Sequence, residues 1–178
     1  RQPDLRLAIN MSARSIGYER WIDTLKCGLL ADATAAERLI LEITESSAML
    51  VPELVSSFMA KLCGEGISFA LDDFGAGLTS FRYLRDFYFD ILKIDGQFVR
   101  GIHNNPDNQV LARALVGVAR QFDMFTVAEF VENAPDAAYL ANTPIEITET
   151  VANTSISNIC SHFVALRAAG MRIAIDDF

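Results

Sequence analysis

Asn10, Glu42, Asp72 with its neighbour Asp73, Lys93 and Glu129 are spaced as if to act together. Each closes a short apolar run, read in order as LAIN, LILE, FALDD, DILK and TVAE. The carboxylates, with Asn10 as a neutral oxygen donor, form an all-oxygen set. Hard cations such as Mg²⁺ or Mn²⁺ want such donors, whereas zinc more often recruits His or Cys. Adjacent aspartates could bridge two ions about 3.5–4 Å apart, an arrangement used for in-line phosphoryl displacement. Lys93 could neutralise phosphate charge or position an attacking water; its plainer reading is a salt-bridge partner for the acids. Two acids side by side after an apolar run are costly unless a cation, a partner or water compensates them. That cost makes Ser68–Asp95 the stretch that says most about function.

Other chemistries find less support. The two histidines, His103 and His162, follow no strand end, so a Ser/His/Asp triad is not indicated. His103 sits in the polar turn GIHNNPD and reads as solvated. Cys27, Cys63 and Cys160 are scattered and odd in number, against both a disulfide framework and a thiolate zinc site. The turn Gly75-Ala76-Gly77 lacks the Gly-Lys-Ser/Thr of a phosphate-binding P-loop and reads as a flexible loop over the site. Glu45 and Glu132 stand three residues beyond Glu42 and Glu129. Each could hold a loop through hydrogen bonds or be a first-turn helix acid favoured by the dipole. The aromatic cluster Phe81, Tyr83, Phe87, Tyr88 and Phe89 reads mainly as core, with base stacking the alternative.

The elements that must position these residues alternate. Strands are expected at Leu7–Asn10, Leu39–Ile43, Ser68–Asp72, Ile91–Ile94 and Thr126–Glu129. Helices are expected at Tyr18–Leu30, Val51–Gly64, Thr79–Arg85 and Asn108–Phe122. Near-continuous apolar strands alternating with helices imply an α/β fold with a parallel sheet covered on both faces. An open doubly wound sheet and a (β/α)₈ barrel both fit that alternation. Polar residues at the carboxyl ends of five successive strands suit a barrel mouth better than a switch point fed by one or two strands.

The C-terminal part repeats an earlier one. Residues 145–178 align without gaps on 41–74 at a constant offset of 104, matching Glu42 with Glu146, Glu45 with Glu149, Gly66 with Gly170 and Asp72-Asp73-Phe74 with Asp176-Asp177-Phe178. A single duplicated strand–helix–strand unit is not a solenoid. The expected organisation is therefore a barrel portion at 1–142 and a partial repeat at 143–178.

Composition narrows the partners. The chain has 178 residues, enough for one domain with a substantial core, and a formal net charge of −8. That acidity argues against a nucleic-acid polymer but leaves room for a small phosphorylated ligand held by a metal. No apolar run approaches the ~20 residues of a membrane span, and no signal peptide is evident at RQPDLRLAIN. A cytoplasmic location is expected, in a chain that the missing initiator Met suggests starts inside a longer signalling protein.

Together, LAINMS, LEITES, ALDDFGAGLTSF, ILKIDGQFV and TVAEFVEN resemble the EAL family of bacterial cyclic-di-GMP phosphodiesterases, in that family's order and spacing, over about residues 5–141. The resemblance implies a TIM-type barrel with two Mg²⁺ or Mn²⁺ ions that opens cyclic-di-GMP to linear pGpG through metal-activated water. It implies Asn10, Glu42, Asp72, Asp73 and Glu129 as metal ligands and Lys93 as the lysine near that water. It also implies Glu45 as the residue steadying the 73–80 loop, which helps place the metals and organise a homodimer. The sequence departs from the pattern in several places. The Glu-Ala-Leu motif of strand one, whose glutamate is a ligand, is not seen, nor are strands seven and eight. Phe130 stands where glycine is common, and Leu78 where an aromatic is common. The expected fold is thus an incomplete TIM-type barrel with a duplicated unit, and an unclosed barrel exposes sheet edges that favour pairing. Readings set beside the phosphodiesterase are a catalytically inactive cyclic-di-GMP receptor and a strand-swapped dimerisation module. Proton abstraction beside a carboxylate, as in enolase-like enzymes, is more distant.

Overall fold

The computed structural model of the chain describes residues 5–76 and 81–143, together with the backbone of 146–150 and 173–176. The chain forms two compact units, Arg1–Ile91 and Leu92–Phe178. The expected loop residues Gly77–Ser80 and most of the repeated tail, including Gly170 and Asp177, lie outside the described residues. No helix among those described is long and apolar enough to cross a membrane.

The first unit runs β1 (Leu7–Asn10), α1 (Glu19–Ala31), α2 (Ala35–Arg38), β2 (Leu39–Thr44), α3 (Glu45–Leu50), α4 (Pro52–Cys63), β3 (Ser68–Phe74) and α5 (Phe81–Leu84). β1, β2 and β3 pair in parallel. Leu41, Ile43, Phe69 and Leu71 are buried, as the apolar runs require of strands covered on both sides. α4 starts on Pro52, whose missing N–H is no loss at a first helical position. It buries Val55, Phe58, Met59 and Leu62, a stripe of one helical face. The Phe58 ring meets the edge of Phe69 on β3 at 6.1 Å and is flanked by Trp21 at 6.0 Å. Gly66, at φ +94, takes the left-handed turn from α4 into β3 that a side chain would resist. In the aromatic cluster, Phe87 and Phe89 are buried and pack edge to face at 5.5 Å, whereas Phe81 and Tyr88 are exposed. β1 departs from the expectation of full cover: Leu7 is 61% and Ile9 40% exposed.

The second unit runs β4 (Ile91–Ile94, whose first residue closes the first unit), α6 (Gly96–Val99), a 3₁₀ turn (Ile102–Asn104), α7 (Pro106–Gln121), β5 (Phe125–Ala128), α8 (Ala134–Leu140), β6 (Glu146–Thr150) and β7 (Ile173–Asp176). Asn105 caps α7, its Oδ1 accepting from the N–H groups of Asp107 and Asn108 at 3.1 and 3.2 Å. β5, β6 and β7 are parallel. The strands of the repeat do pair with each other, but not in the register of the first copy. Thr44 stands opposite Asp72, whereas its counterpart Thr148 stands opposite Ala174, and Asp176 faces Thr150. The slip is two residues, so the strand faces are kept.

Asp136 knots α8 to the turn after α6. Its carboxylate is fully buried. It accepts from the N–H of Gly101 at 2.9 Å, the N–H of His103 at 3.0 Å, His103 Nδ1–H at 2.6 Å and Asn133 Nδ2 at 2.6 Å. An ionised carboxylate can only accept, so His103 carries its proton on Nδ1. Asn104 Nδ2 then donates to Nε2 at 2.6 Å. His103 is therefore not the solvated turn residue expected from its polar neighbours; one side of its ring is committed to a buried acid. Burial alone would raise the Asp136 carboxyl, but the donors from His103, Gly101 and Asn133 hold it below its ordinary value.

Gly96 and Phe130 form a second tight contact. Phe130 follows β5 at φ +55, a left-handed conformation unusual for a bulky residue and strained by roughly 1–2 kcal/mol. Its ring lies against Gly96, where an added Cβ would sit 2.4 Å from Phe130 Cδ2 and 2.8 Å from Cγ. The Arg100 guanidinium lies over the same ring, 4.2 Å from its centroid.

Two outcomes are expected. A carboxyl with a depressed folded pKa stabilises fully above its unfolded value near 3.8, and that stabilisation is lost as pH falls through the folded value. Asp136→Asn should therefore cost about 2 kcal/mol in urea unfolding near neutrality, and progressively less at pH values below about 3.8. An equal loss above and below that pH would contradict the charge-based account. Gly96→Ala should destabilise by about 1–3 kcal/mol, and the loss should disappear in a Phe130→Gly background. Additive losses in that double-mutant cycle would place the strain elsewhere.

Candidate active site

In the first unit the strand register sets the site. Asn10 is opposite Glu42, Glu42 is opposite Ala70, and Thr44 is opposite Asp72. Residues in register on parallel strands, and residues two apart on one strand, share a face. Asn10, Glu42 and Asp72 therefore stand on one face at the carboxyl ends of three adjacent strands, with Leu41, Ile43 and Leu71 on the other. Glu42 and Asp72 are buried at 6% and 8% exposure, while Asn10 is exposed. Asp73 by strict alternation would point the opposite way. Its φ of +53 breaks the strand geometry at that residue, and ligand oxygens of Asp72 and Asp73 come within 4.8 Å of each other. Asp72 Oδ1 also accepts from the Asp73 N–H at 3.0 Å.

The loops leaving these strands are laced together. The Met11 N–H donates to the Glu42 carbonyl at 2.8 Å, and the Ala13 N–H to Ser47 Oγ at 2.8 Å. Thr44 caps α3 by accepting from the Ser47 N–H. Glu45 is both things that its position allowed: the first residue of α3, and a loop holder. Its carboxylate is buried, and Oε2 accepts from the Gly75 N–H at 3.2 Å. The chain then turns at Gly75, φ +96, with the Ala76 N–H donating to the Asp73 carbonyl at 3.2 Å.

In the second unit Lys93 and Glu129 form a buried ion pair, Nζ to Oε1 at 2.9 Å, with side-chain exposures of 3% and 7%. Lys93 lies on β4. Glu129 falls one residue past β5, not on it, and its N–H donates to the Ile94 carbonyl at 3.3 Å. Such a pair is weak evidence of stability, since desolvation offsets much of the attraction, but removing one partner typically costs about 3–5 kcal/mol. Glu132 points elsewhere: it meets Arg100 Nε at 3.3 Å near the surface. Cys63 Sγ donates to the Tyr88 carbonyl at 3.9 Å; burial, then the charge of Asp90, pushes its thiol up, so it is no reactive centre. In the tail, the side chains of Glu146 and Asp176 lie outside the described residues, as does Asp177.

Some partners were not anticipated from sequence. The spacing Asn133–Asp136 is a capping pattern that could have pointed to the buried knot. Nothing in the sequence marks Arg100 as the cover of Phe130.

The donor chemistry fits a hard divalent cation: buried carboxylates with an amide oxygen beside them, and no His or Cys on that face of the first unit's strands. Comparison with known proteins agrees with the sequence motifs. The EAL domain family profile matches residues 1–146. The cyclic di-GMP phosphodiesterase PdeR of Escherichia coli (strain K12) is 36% identical over 142 residues, covering 80% of this chain and 22% of that protein. The cyclic di-GMP phosphodiesterase PdeB of Shewanella oneidensis is 35% identical over 127 residues, 71% of this chain and 15% of that protein. The chain thus spans about a fifth or less of these relatives. Among solved structures, the PaMucR phosphodiesterase in complex with c-di-GMP superposes with a TM-score of 0.73 at 29% identity, covering 81% of this chain and 58% of that one. A manganese and cy-diGMP complex of Klebsiella pneumoniae BlrP1 gives 0.72 at 28% identity, covering 79% and 36%. The fold is α/β, an incomplete TIM-type barrel, and the chain belongs to the EAL domain family.

Proposed function

We propose that this chain carries part of the catalytic unit of a cyclic-di-GMP phosphodiesterase that hydrolyses its substrate to pGpG with two Mg²⁺ or Mn²⁺ ions. The observation that carries the reading is the register of Asn10, Glu42 and Asp72 on one sheet face, two of them buried acids. The relatives' activity supports it, because several are named as cyclic-di-GMP phosphodiesterases. On this reading Asn10, Glu42, Asp72, Asp73 and Glu129 hold the cations. The chemistry that such cations supply when bound is activation of water and neutralisation of phosphate charge. Lys93, its ammonium held at 2.9 Å by Glu129, donates hydrogen bonds to the attacking water or a phosphate oxygen. Glu45 keeps the loop after Asp73 in place through the Gly75 N–H, which limits the entropy lost when the acids engage a ligand. The water oxygen bonds to one phosphorus, the P–O3′ bond breaks, and the departing 3′ oxygen takes up a proton. We place the reaction in the bacterial cytoplasm, in a homodimer.

The test is turnover of cyclic-di-GMP by the full-length protein with Mn²⁺. Asp72→Ala should lower the rate by about 100-fold or more while Mg²⁺ or Mn²⁺ removal abolishes it. Full turnover in Asp72→Ala, or none in the unmodified protein, would overturn the enzyme assignment. Tight cyclic-di-GMP binding without product would replace it with a receptor. Neither binding nor turnover, together with loss of the dimer on deleting residues 144–178, would leave a strand-swapped dimerisation module.

A further inference from the structure

We infer that Phe130, Gly96 and Arg100 are positioning residues that aim Glu129, and through it Lys93, by clamping the backbone on both sides of the glutamate. The clamp rests on four contacts, all within the second unit. Upstream, the Glu129 N–H is fixed to the Ile94 carbonyl at 3.3 Å. Downstream, the Phe130 ring lies against the bare Cα of Gly96, where even a methyl group would collide at 2.4 Å. The Arg100 guanidinium covers the ring at 4.2 Å, and Arg100 is itself held by Glu132 through Nε at 3.3 Å. Arg100 also ends α6, its N–H donating to the Gly96 carbonyl at 2.9 Å, so both groups that touch the ring belong to one short backbone unit.

The backbone explains why a clamp is needed. Phe130 sits at φ +55, a conformation that a bulky residue leaves readily unless its surroundings over-determine it. Release of Phe130 to an ordinary φ would rotate the peptide that leaves Glu129 and swing the carboxylate from Lys93. A glycine at this position would adopt the same turn without strain but would offer no ring for Arg100 to hold. The phenyl group therefore exchanges backbone ease for a side-chain anchor. Residues behind a metal ligand that fix its orientation typically alter affinity by about 10–100-fold. The predicted effect on cation affinity rests on the proposed metal-dependent function; the effect on the Lys93–Glu129 pair does not.

The experiment separates the two. The chain has only three lysines, Lys26, Lys61 and Lys93, so the side-chain ammonium signals in a ¹⁵N-lysine-labelled sample are readily assigned, with Lys93→Arg identifying the buried one. Arg100→Met, at a half-exposed side chain, and Phe130→Gly should both shift or broaden the Lys93 signal and leave Lys26 and Lys61 unchanged. Phe130→Tyr, which keeps the ring, should behave as the unmodified protein. By calorimetry, Arg100→Met should weaken Mn²⁺ binding by about 10-fold. An unmoved Lys93 signal in both variants overturns the clamp. So does unchanged Mn²⁺ affinity in a protein that binds the ion. Movement of the Lys93 signal in a protein that binds no Mn²⁺ supports the clamp and sinks the metal-dependent function instead.

Discussion

A carboxylate removed from water has to be met by a donor or a cation, and this chain places buried acids where its parallel strands end. Glu42 and Asp72 stand on one face of the first unit's strands, and Glu129 is paired with an equally buried lysine in the second. Apolar strand interiors set up the problem, because covering both faces of a parallel sheet leaves the strand ends half inside the protein. Much of the surrounding polar structure answers it. Glu45 reaches the Gly75 N–H, Ser47 receives the Ala13 N–H, and Lys93 meets Glu129. Of these the Lys93–Glu129 pair is buried, where such a bond is stronger than in water.

The same strand ends store backbone strain. Asp73 and Phe130, each directly following an acid of the candidate site, both have positive φ, at +53 and +55. Neither is glycine, so each turn needs support from outside itself. Asp73 has the hydrogen bond from its own N–H to Asp72 and the turn closed by Ala76. Phe130 has Gly96 and Arg100. Strain of this kind collects where a side chain must be aimed, and persists only where packing over-determines it.

The five apolar runs proved to be strands within a residue or two of the expected bounds, because a short apolar run bounded by polar residues has few other solutions. The long helices were equally plain from their periodic stripes. The short ones, α3, α6 and α8, were not, since four to seven residues are too few to display a period. The exposure of β1 was hidden for a different reason: its apolar residues say that it wants cover, not whether cover is there. His103 misled because its polar neighbours signal a turn, while its partner Asp136 lies 33 residues away. The positive φ was only faintly legible: Asp73 is of a type that tolerates it, and Phe130 stands where glycine is common, but neither residue type demands it. The candidate acids themselves were legible from type and spacing, and the register of β1, β2 and β3 gives three of the positions a common face.

The central claim is that these strand-end carboxylates are built to hold divalent cations. Thermal unfolding with and without Mn²⁺ tests it without reference to catalysis. An ion that binds only the folded chain adds about 2.7 kcal/mol at a hundredfold excess over its dissociation constant, and about 2–4 °C accompanies each kcal/mol in a domain of this size. The account predicts a rise of roughly 5–10 °C at a hundredfold excess of Mn²⁺, one that keeps growing with the logarithm of the Mn²⁺ concentration and is absent in Asp72→Asn. A midpoint that Mn²⁺ leaves unchanged, or raises equally in Asp72→Asn, would contradict it.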